Sequence, residues 1–147
     1  MTTFTLDQQL IKDCIKLGDF PLCRLLLMND ASYPWCIMVP RVVGAEEIYD
    51  LPRYQQALLV SESSLLAKKL KHSFSGDKIN IATLGNIVKQ LHVHCIVRFR
   101  DDPTWPQPIW GQHPIKPYSA EGIGRMTNTI VTALGSAIIP CTEGEAD

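Results

Sequence analysis

Hydrophobic positions recur along this chain with two periods, and the change from one to the other marks its elements. Leu6, Leu10, Cys14 and Leu17 fall on one helical face ahead of Gly18, and Thr5 followed by Gln8 has the form of a capping box, so residues 6–17 read as a short amphipathic helix. Apolar runs at 23–28 and 36–39 are strand-sized, and the polar, proline-bearing segment Asn29-Asp30-Ala31-Ser32-Tyr33-Pro34 between them predicts an antiparallel hairpin. Pro52 stands where a helix opens, and Tyr54, Leu58, Leu65 and Leu66 recur at near-helical spacing to about Lys71. Beyond the turn Ser75-Gly76-Asp77, residues 78–84 and 89–98 read as two more strands. Residues 101–118 hold Pro103, Pro106, Pro108, Pro114 and Pro117 with Trp105 and Trp110, which makes an extended connector. From Ser119 a last helix, to residue 138, turns Ile123, Met126, Ile130 and Leu134 inward, and the acidic end from Glu143 to Asp147 reads as frayed. The outline is an α+β fold, a mainly antiparallel sheet of about five strands flanked by helices.

Length and composition narrow the function. At 147 residues, 46% hydrophobic and 20% charged, the chain is sized for a single domain with a buried core. Fourteen basic against fifteen acidic residues leave a net charge of −1, so no global field draws in nucleic acid or an anionic membrane, and an anion site has to be built locally. The apolar runs are too short to span a bilayer, and the start, Met1-Thr2-Thr3-Phe4-Thr5, lacks a signal peptide's charged and apolar regions, so the expected location is the cytoplasm. Cys14, Cys23, Cys36, Cys95 and Cys141 contain no C-x-x-C pair, which argues against a disulfide framework or a thiolate zinc knuckle. Lys68, Lys69 and Lys71 at the end of the long helix read as a solvated, dipole-complementing terminus.

The candidate chemistry sits in Lys89-Gln90-Leu91-His92-Val93-His94-Cys95-Ile96-Val97-Arg98. As a strand, this segment puts Gln90, His92 and His94 on one face and Leu91, Val93, Cys95 and Val97 on the other. The apolar face pins the register, because a one-residue slip would bury the imidazoles and expose the hydrophobes. Cβ atoms roughly 6 to 7 Å apart let both rings reach one phosphate-sized group. Three readings stand: two half-buried polar residues with no further role, a metal site that would need His113 or His72 as a further ligand, and nucleophilic catalysis by a neutral imidazole attacking phosphorus. Cys95 faces away from both histidines and reads as core.

The run from Gly85 to Arg98 resembles the signature of the histidine triad (HIT) nucleotide hydrolases and transferases: a glycine, a valine, then three histidines alternating with hydrophobic residues, with Gln90 in the place of the first histidine. Ile37-Met38-Val39-Pro40-Arg41 and Glu46-Glu47-Ile48-Tyr49-Asp50-Leu51 resemble the family's nucleotide-pocket hairpin and the approach to its long helix, so the likeness spans roughly residues 20–100. It implies one HIT-like domain over residues 1–147, paired as a homodimer and related to diadenosine polyphosphate hydrolases. The implied activity is hydrolysis or nucleotidyl transfer at the α-phosphate of adenine-type nucleotides, dinucleoside polyphosphates such as diadenosine tetraphosphate, or nucleoside phosphoramidates. His92 is the implied nucleophile and His94 the phosphate-oxygen donor. Gln90 would hold a ring or phosphate without titrating, and its presence keeps open the alternative of a nucleotide-binding module with little turnover. Asn80, Asn86 and Asn29 are the implied substrate-binding amides. Ile87 stands where some members have serine, and Trp35 where relatives often have histidine. Trp105, Trp110 and Tyr118 would either wall a base pocket or cover the core or dimer contact. The expected ligand is a small nucleotide, with no nucleic acid, no membrane and no metal site, and with no tightly bound cofactor beyond Mg arriving with a polyphosphate.

Overall fold

The computed structural model describes residues 3–142, so the acidic end from Glu143 to Asp147 lies outside the described residues. Helix α1 (Gln8–Asp13) runs directly into β1 (Cys14–Asp19), and β2 (Cys23–Met28) and β3 (Trp35–Pro40) follow as the expected hairpin. Helix α2 (Arg53–Ser73) leads to β4 (Lys78–Ala82) and β5 (Val93–Arg98), and α3 (Ala120–Leu134) returns the chain to a two-residue β6 (Ile139–Pro140). The described residues form one six-stranded antiparallel sheet in the order β4-β5-β3-β2-β1-β6. The α+β class therefore stands, with β1 and β6 unforeseen.

This sheet is covered on both faces. Leu25, Leu27, Cys36, Met38, Val93, Cys95 and Val97 point toward α2 and α3, where Leu59, Leu66, Leu70, Ile130 and Leu134 complete one cluster. Leu26, Met28, Trp35, Ile37, Val39 and Ile96 point the other way and meet Leu6, Leu10, Val88 and Ile109 from the amino-terminal segment and the loops. A strand such as β3, buried at every position, reads as an apolar run without alternation for this reason.

Four boundaries differ from the sequence reading. The helix expected over 6–17 is only one and a half turns, and its cap is Asp7, whose carboxylate accepts the Gln9 amide at 2.8 Å, rather than Thr5. From Cys14 the backbone is extended and pairs with Met28, so ladder bonds to β2 override helical spacing. The strand expected over 78–84 ends at Ala82, and the one expected over 89–98 begins at Val93, where pairing with Met38 starts. The last helix ends at Leu134, with Gly135 at a positive φ of 54°, and the chain then forms β6 instead of continuing to 138. Close approach of β6 depends on Gly18, where a Cβ would sit 2.5 Å from the Ile139 carbonyl oxygen.

Arg98 anchors the connector to the sheet. It is 1% exposed and grips Asp102 with Nε to Oδ2 at 2.7 Å and Nη2 to Oδ1 at 3.0 Å. Nη1 donates to Asn80 Oδ1 at 2.8 Å and Nη2 to Thr104 Oγ1 at 3.3 Å, and the guanidinium lies over the rings of both Tyr33 and Trp105, 5.7 and 5.6 Å from their centroids. Burial by itself would raise the Asp102 carboxyl, but its bonds from Arg98 and from the Phe99 and Thr104 amides hold it below the usual carboxylate range. Asp102→Ala should leave a buried guanidinium unpaired and destabilise the protein by about 3 to 5 kcal/mol at neutral pH in chemical denaturation. Because the folded-state pKa is depressed, that difference should begin to shrink below about pH 4, where the unfolded chain's carboxyl takes up a proton, and be lost as pH falls on through the lower folded-state value.

Candidate functional site

A cleft of about 640 Å³ opens on the sheet face opposite α2 and α3. His92 and His94 both line it, 5% and 6% exposed, with ring centroids 5.0 Å apart and planes at 73°. His94 is on β5, whose alternation sends Val93, Cys95 and Val97 into the helix-side core. His92 lies just before the strand, in a segment fastened by the Leu91 amide to the Ala45 carbonyl at 2.9 Å.

Hydrogen bonds fix the two tautomers. Trp35 Nε1–H donates to His94 Nδ1 at 3.0 Å, so neutral His94 carries its proton on Nε2. Burial, reinforced by neighbouring His92, lowers its pKa to about 3, so it stays neutral and offers one N–H. His92 has the opposite arrangement: its Nδ1 is 2.7 Å from the Gln90 carbonyl oxygen, which can only accept, so in the neutral ring Nδ1 carries the proton and Nε2 the lone pair. The pair thus presents one nucleophilic nitrogen and one hydrogen-bond donor.

The remaining expected residues divide. Asn86 lines the cleft; Asn80 and Asn29 do not. Asn80 is committed to Arg98, and Asn29 Oδ1 accepts the Tyr118 amide at 2.9 Å. Gln90 corrects the reading most, since it precedes the strand and shares no strand face with the histidines. Its side chain bonds the backbone of Thr5 and Asp7, and only its carbonyl touches His92. Trp110 alone of the three expected aromatics lines the cleft, edge-on to both Trp35 and His94, while Trp105 covers Arg98 and the Tyr118 hydroxyl donates to the Tyr33 carbonyl. Ile87, on the rim, is 90% exposed.

Several participants were not foreseen. Gln9, Leu10 and Asp13 of the amino-terminal segment form one wall, and the buried carboxylate of Asp30 forms part of another. His113, named above only as a further ligand that a metal site would need, faces the cleft: its Nδ1–H donates to the Pro114 carbonyl and its Nε2 accepts from the Tyr33 hydroxyl, both at 2.9 Å. The resemblance had singled out Trp35; the Tyr33 partner of His113 and the Thr5 and Asp7 partners of the Gln90 side chain lie 80 to 85 residues away in sequence and left no local signal. Cys14 lines the cleft, but burial and the Asp13 carboxylate push its thiol up to about 12, and burial does the same to Cys95. Neither supplies a thiolate nucleophile. Among the described residues no group of three or more His, Cys, Asp or Glu is placed to hold a metal ion.

The family model of the HIT domain matches residues 9–101, more than half of the chain. The chain belongs to the HIT domain family. Members of the HIT family generally bind nucleotides, and many are nucleotide hydrolases or transferases. Among solved structures, this HIT protein is similar to a histidine triad protein from Marinobacter aquaeolei VT8, with 47% identity, a TM-score of 0.88, and 90% of this chain and 97% of that one covered. A histidine triad protein from Sinorhizobium meliloti 1021 shares 44% identity at a TM-score of 0.88, over 91% of this chain and 99% of the other. One from Bradyrhizobium japonicum shares 40% identity at 0.89, over 91% and 100%. No curated protein matches the chain. Among the described residues no helix is long and apolar enough to cross a membrane.

The depressed pKa of His94 has a consequence for stability. Between about pH 6.5 and 3 the unfolded chain binds a proton here that the folded protein refuses, so stability falls as pH drops through that window. His94→Gln should remove a slope approaching about 1.4 kcal/mol per pH unit from the unfolding free energy measured between about pH 6 and 4. An unchanged slope would mean that His94 accepts a proton in the folded state.

Proposed function

We propose that this protein is a nucleotide hydrolase or nucleotidyl transferase that acts at the α-phosphorus through His92. The observation that carries this reading is the opposed pair of tautomers, a free lone pair on His92 Nε2 beside an N–H on His94 Nε2. In the first step the Nε2 lone pair forms an N–P bond, the bond from phosphorus to the leaving group breaks, and the leaving group departs with that electron pair and takes a proton from solvent. The charge that develops on the His92 ring is met by the Gln90 carbonyl at Nδ1, and a phosphate oxygen is held by His94 Nε2–H. Water or another acceptor then attacks phosphorus, the N–P bond breaks with its electron pair returning to Nε2, and the acceptor's proton passes to solvent.

Charge in the cleft narrows the substrate. Asp13 and Asp30 line it, and among the described residues no Lys or Arg does. Each further phosphate brought in would meet uncompensated negative charge. We therefore favour an adenine-type nucleotide with a single ionised phosphate, a phosphoramidate or phosphodiester, its base against Ile37, Val88, Ile109 and Trp110. Diadenosine tetraphosphate would need Mg to accompany it. We infer from family membership that the protein works as a homodimer in the cytoplasm.

A second reading, a nucleotide-binding module with little turnover, draws on Gln90, which places no titrating group at the first triad position. One experiment separates the two. Wild-type protein incubated with adenosine phosphoramidate should release ammonia and AMP and, when quenched early, carry an AMP adduct at residue 92 by mass spectrometry. His92→Asn should lose at least about 1,000-fold in rate while still binding AMP. Diadenosine tetraphosphate should be cleaved more slowly, and only until the divalent cation is chelated. Nucleotide affinity with neither product nor adduct would establish the module instead.

A further inference from the structure

The side chain at the first triad position does a different job from the two histidines. Gln90 Oε1 accepts the Asp7 amide at 2.9 Å, and Gln90 Nε2 donates to the Thr5 carbonyl at 2.8 Å, so one primary amide pairs with a strip of backbone as a neighbouring strand would. Both of its hydrogen-bonding ends are used, and the group does not line the cleft. The strip it holds is the start of the segment that does. Asp7 caps α1, and from there Gln9, Leu10 and Asp13 form a cleft wall. Leu6 and Leu10, 3% and 4% exposed, pack in the same apolar cluster as Val88 of the loop that carries Gln90. Meanwhile the Gln90 carbonyl, on the same residue, holds His92 Nδ1 at 2.7 Å.

We propose that Gln90 is a positioning residue that clamps the amino-terminal segment against the His92 loop, so that residues 5–13 form a built wall of the nucleotide site held in register with the nucleophile. Substrate affinity is then set partly by a segment at least 79 residues away from the histidines in sequence. The inference rests on the nucleotide reading of the cleft, but its central claim concerns two backbone contacts that exist whether or not the protein turns over.

Gln90→Ala isolates the side chain, because alanine keeps the carbonyl that orients His92. Gln90→Glu is the companion: a carboxylate still accepts the Asp7 amide but cannot donate to Thr5. In the full chain, hydrogen exchange at the Asp7 amide should speed up about tenfold in Gln90→Ala and stay near the wild-type rate in Gln90→Glu. The dissociation constant for AMP should rise about tenfold in Gln90→Ala and by less in Gln90→Glu. With a turned-over substrate, KM should rise by a similar factor while kcat changes less than about threefold and its pH profile keeps its shape. If no variant, wild type included, shows turnover, the proposed chemistry fails while the exchange and AMP arms still decide the clamp. An unchanged Asp7 exchange rate in Gln90→Ala, or a kcat loss on the order of 100-fold or more with KM and AMP affinity unaltered, overturns the inference and returns Gln90 to the chemistry.

Discussion

Strand β5 has to serve two incompatible surroundings at once, and its alternation is the constraint on which the rest depends. Val93, Cys95 and Val97 fill the space beneath α2 and α3, so His94, Ile96 and Arg98 must face the other way. A slip of one residue would drive a buried guanidinium and an imidazole into an apolar core, a displacement far costlier than any ladder bond could offset. The two polar residues on that face, His94 and Arg98, then organise everything above it. Arg98 fastens the connector through Asp102 and Thr104, and the connector delivers Ile109, Trp110 and His113 to the cleft that His94 lines.

Chemistry in the cleft follows from which atoms are already taken. A histidine has two nitrogens, and an isolated pair in water would sample every tautomer. Here one Nδ1 receives an indole N–H and the other gives its proton to a carbonyl, so the two Nε2 atoms differ in kind without any titrating third residue. Trp35 does for His94 what a histidine could do only in one of its own tautomers, since indole is a donor and nothing else. Burial, with His92 beside it, keeps His94 neutral across the range in which nucleotides are ionised.

The sequence made some of this visible and hid the rest for identifiable reasons. The back face of β5, the helix after Pro52 and the helix after Ser119 were legible because each is written in local spacing or in a residue with fixed backbone preference. Strand β1 was not, since Leu6, Leu10, Cys14 and Leu17 fit a helix equally well, and only pairing with β2 decides between the two. Asn80 and Asn29 misled for a related reason. A lone amide is compatible with phosphate, with a guanidinium or with a backbone N–H, and its choice among them is made by whatever tertiary neighbour arrives first.

Gln90 shows how far position in a motif differs from function in a site. Spacing alone put it on a shared face with both histidines, and that inference required the strand to begin before it. Pairing of β5 with β3 begins at Val93 opposite Met38, which leaves residues 90–92 to be held by other means. Those means are the Ala45 carbonyl for Leu91, the Gln90 carbonyl for His92, and the amino-terminal backbone for the Gln90 amide. An irregular segment that carries a buried histidine needs each of its polar groups accounted for, since every unsatisfied one lowers the energy needed to open it. Glutamine meets that need better than histidine would, because a planar amide presents a donor and an acceptor side by side, matched to a neighbouring stretch of main chain. On this argument the absence of a titrating group at residue 90 and the firm placement of His92 both follow from the glutamine there.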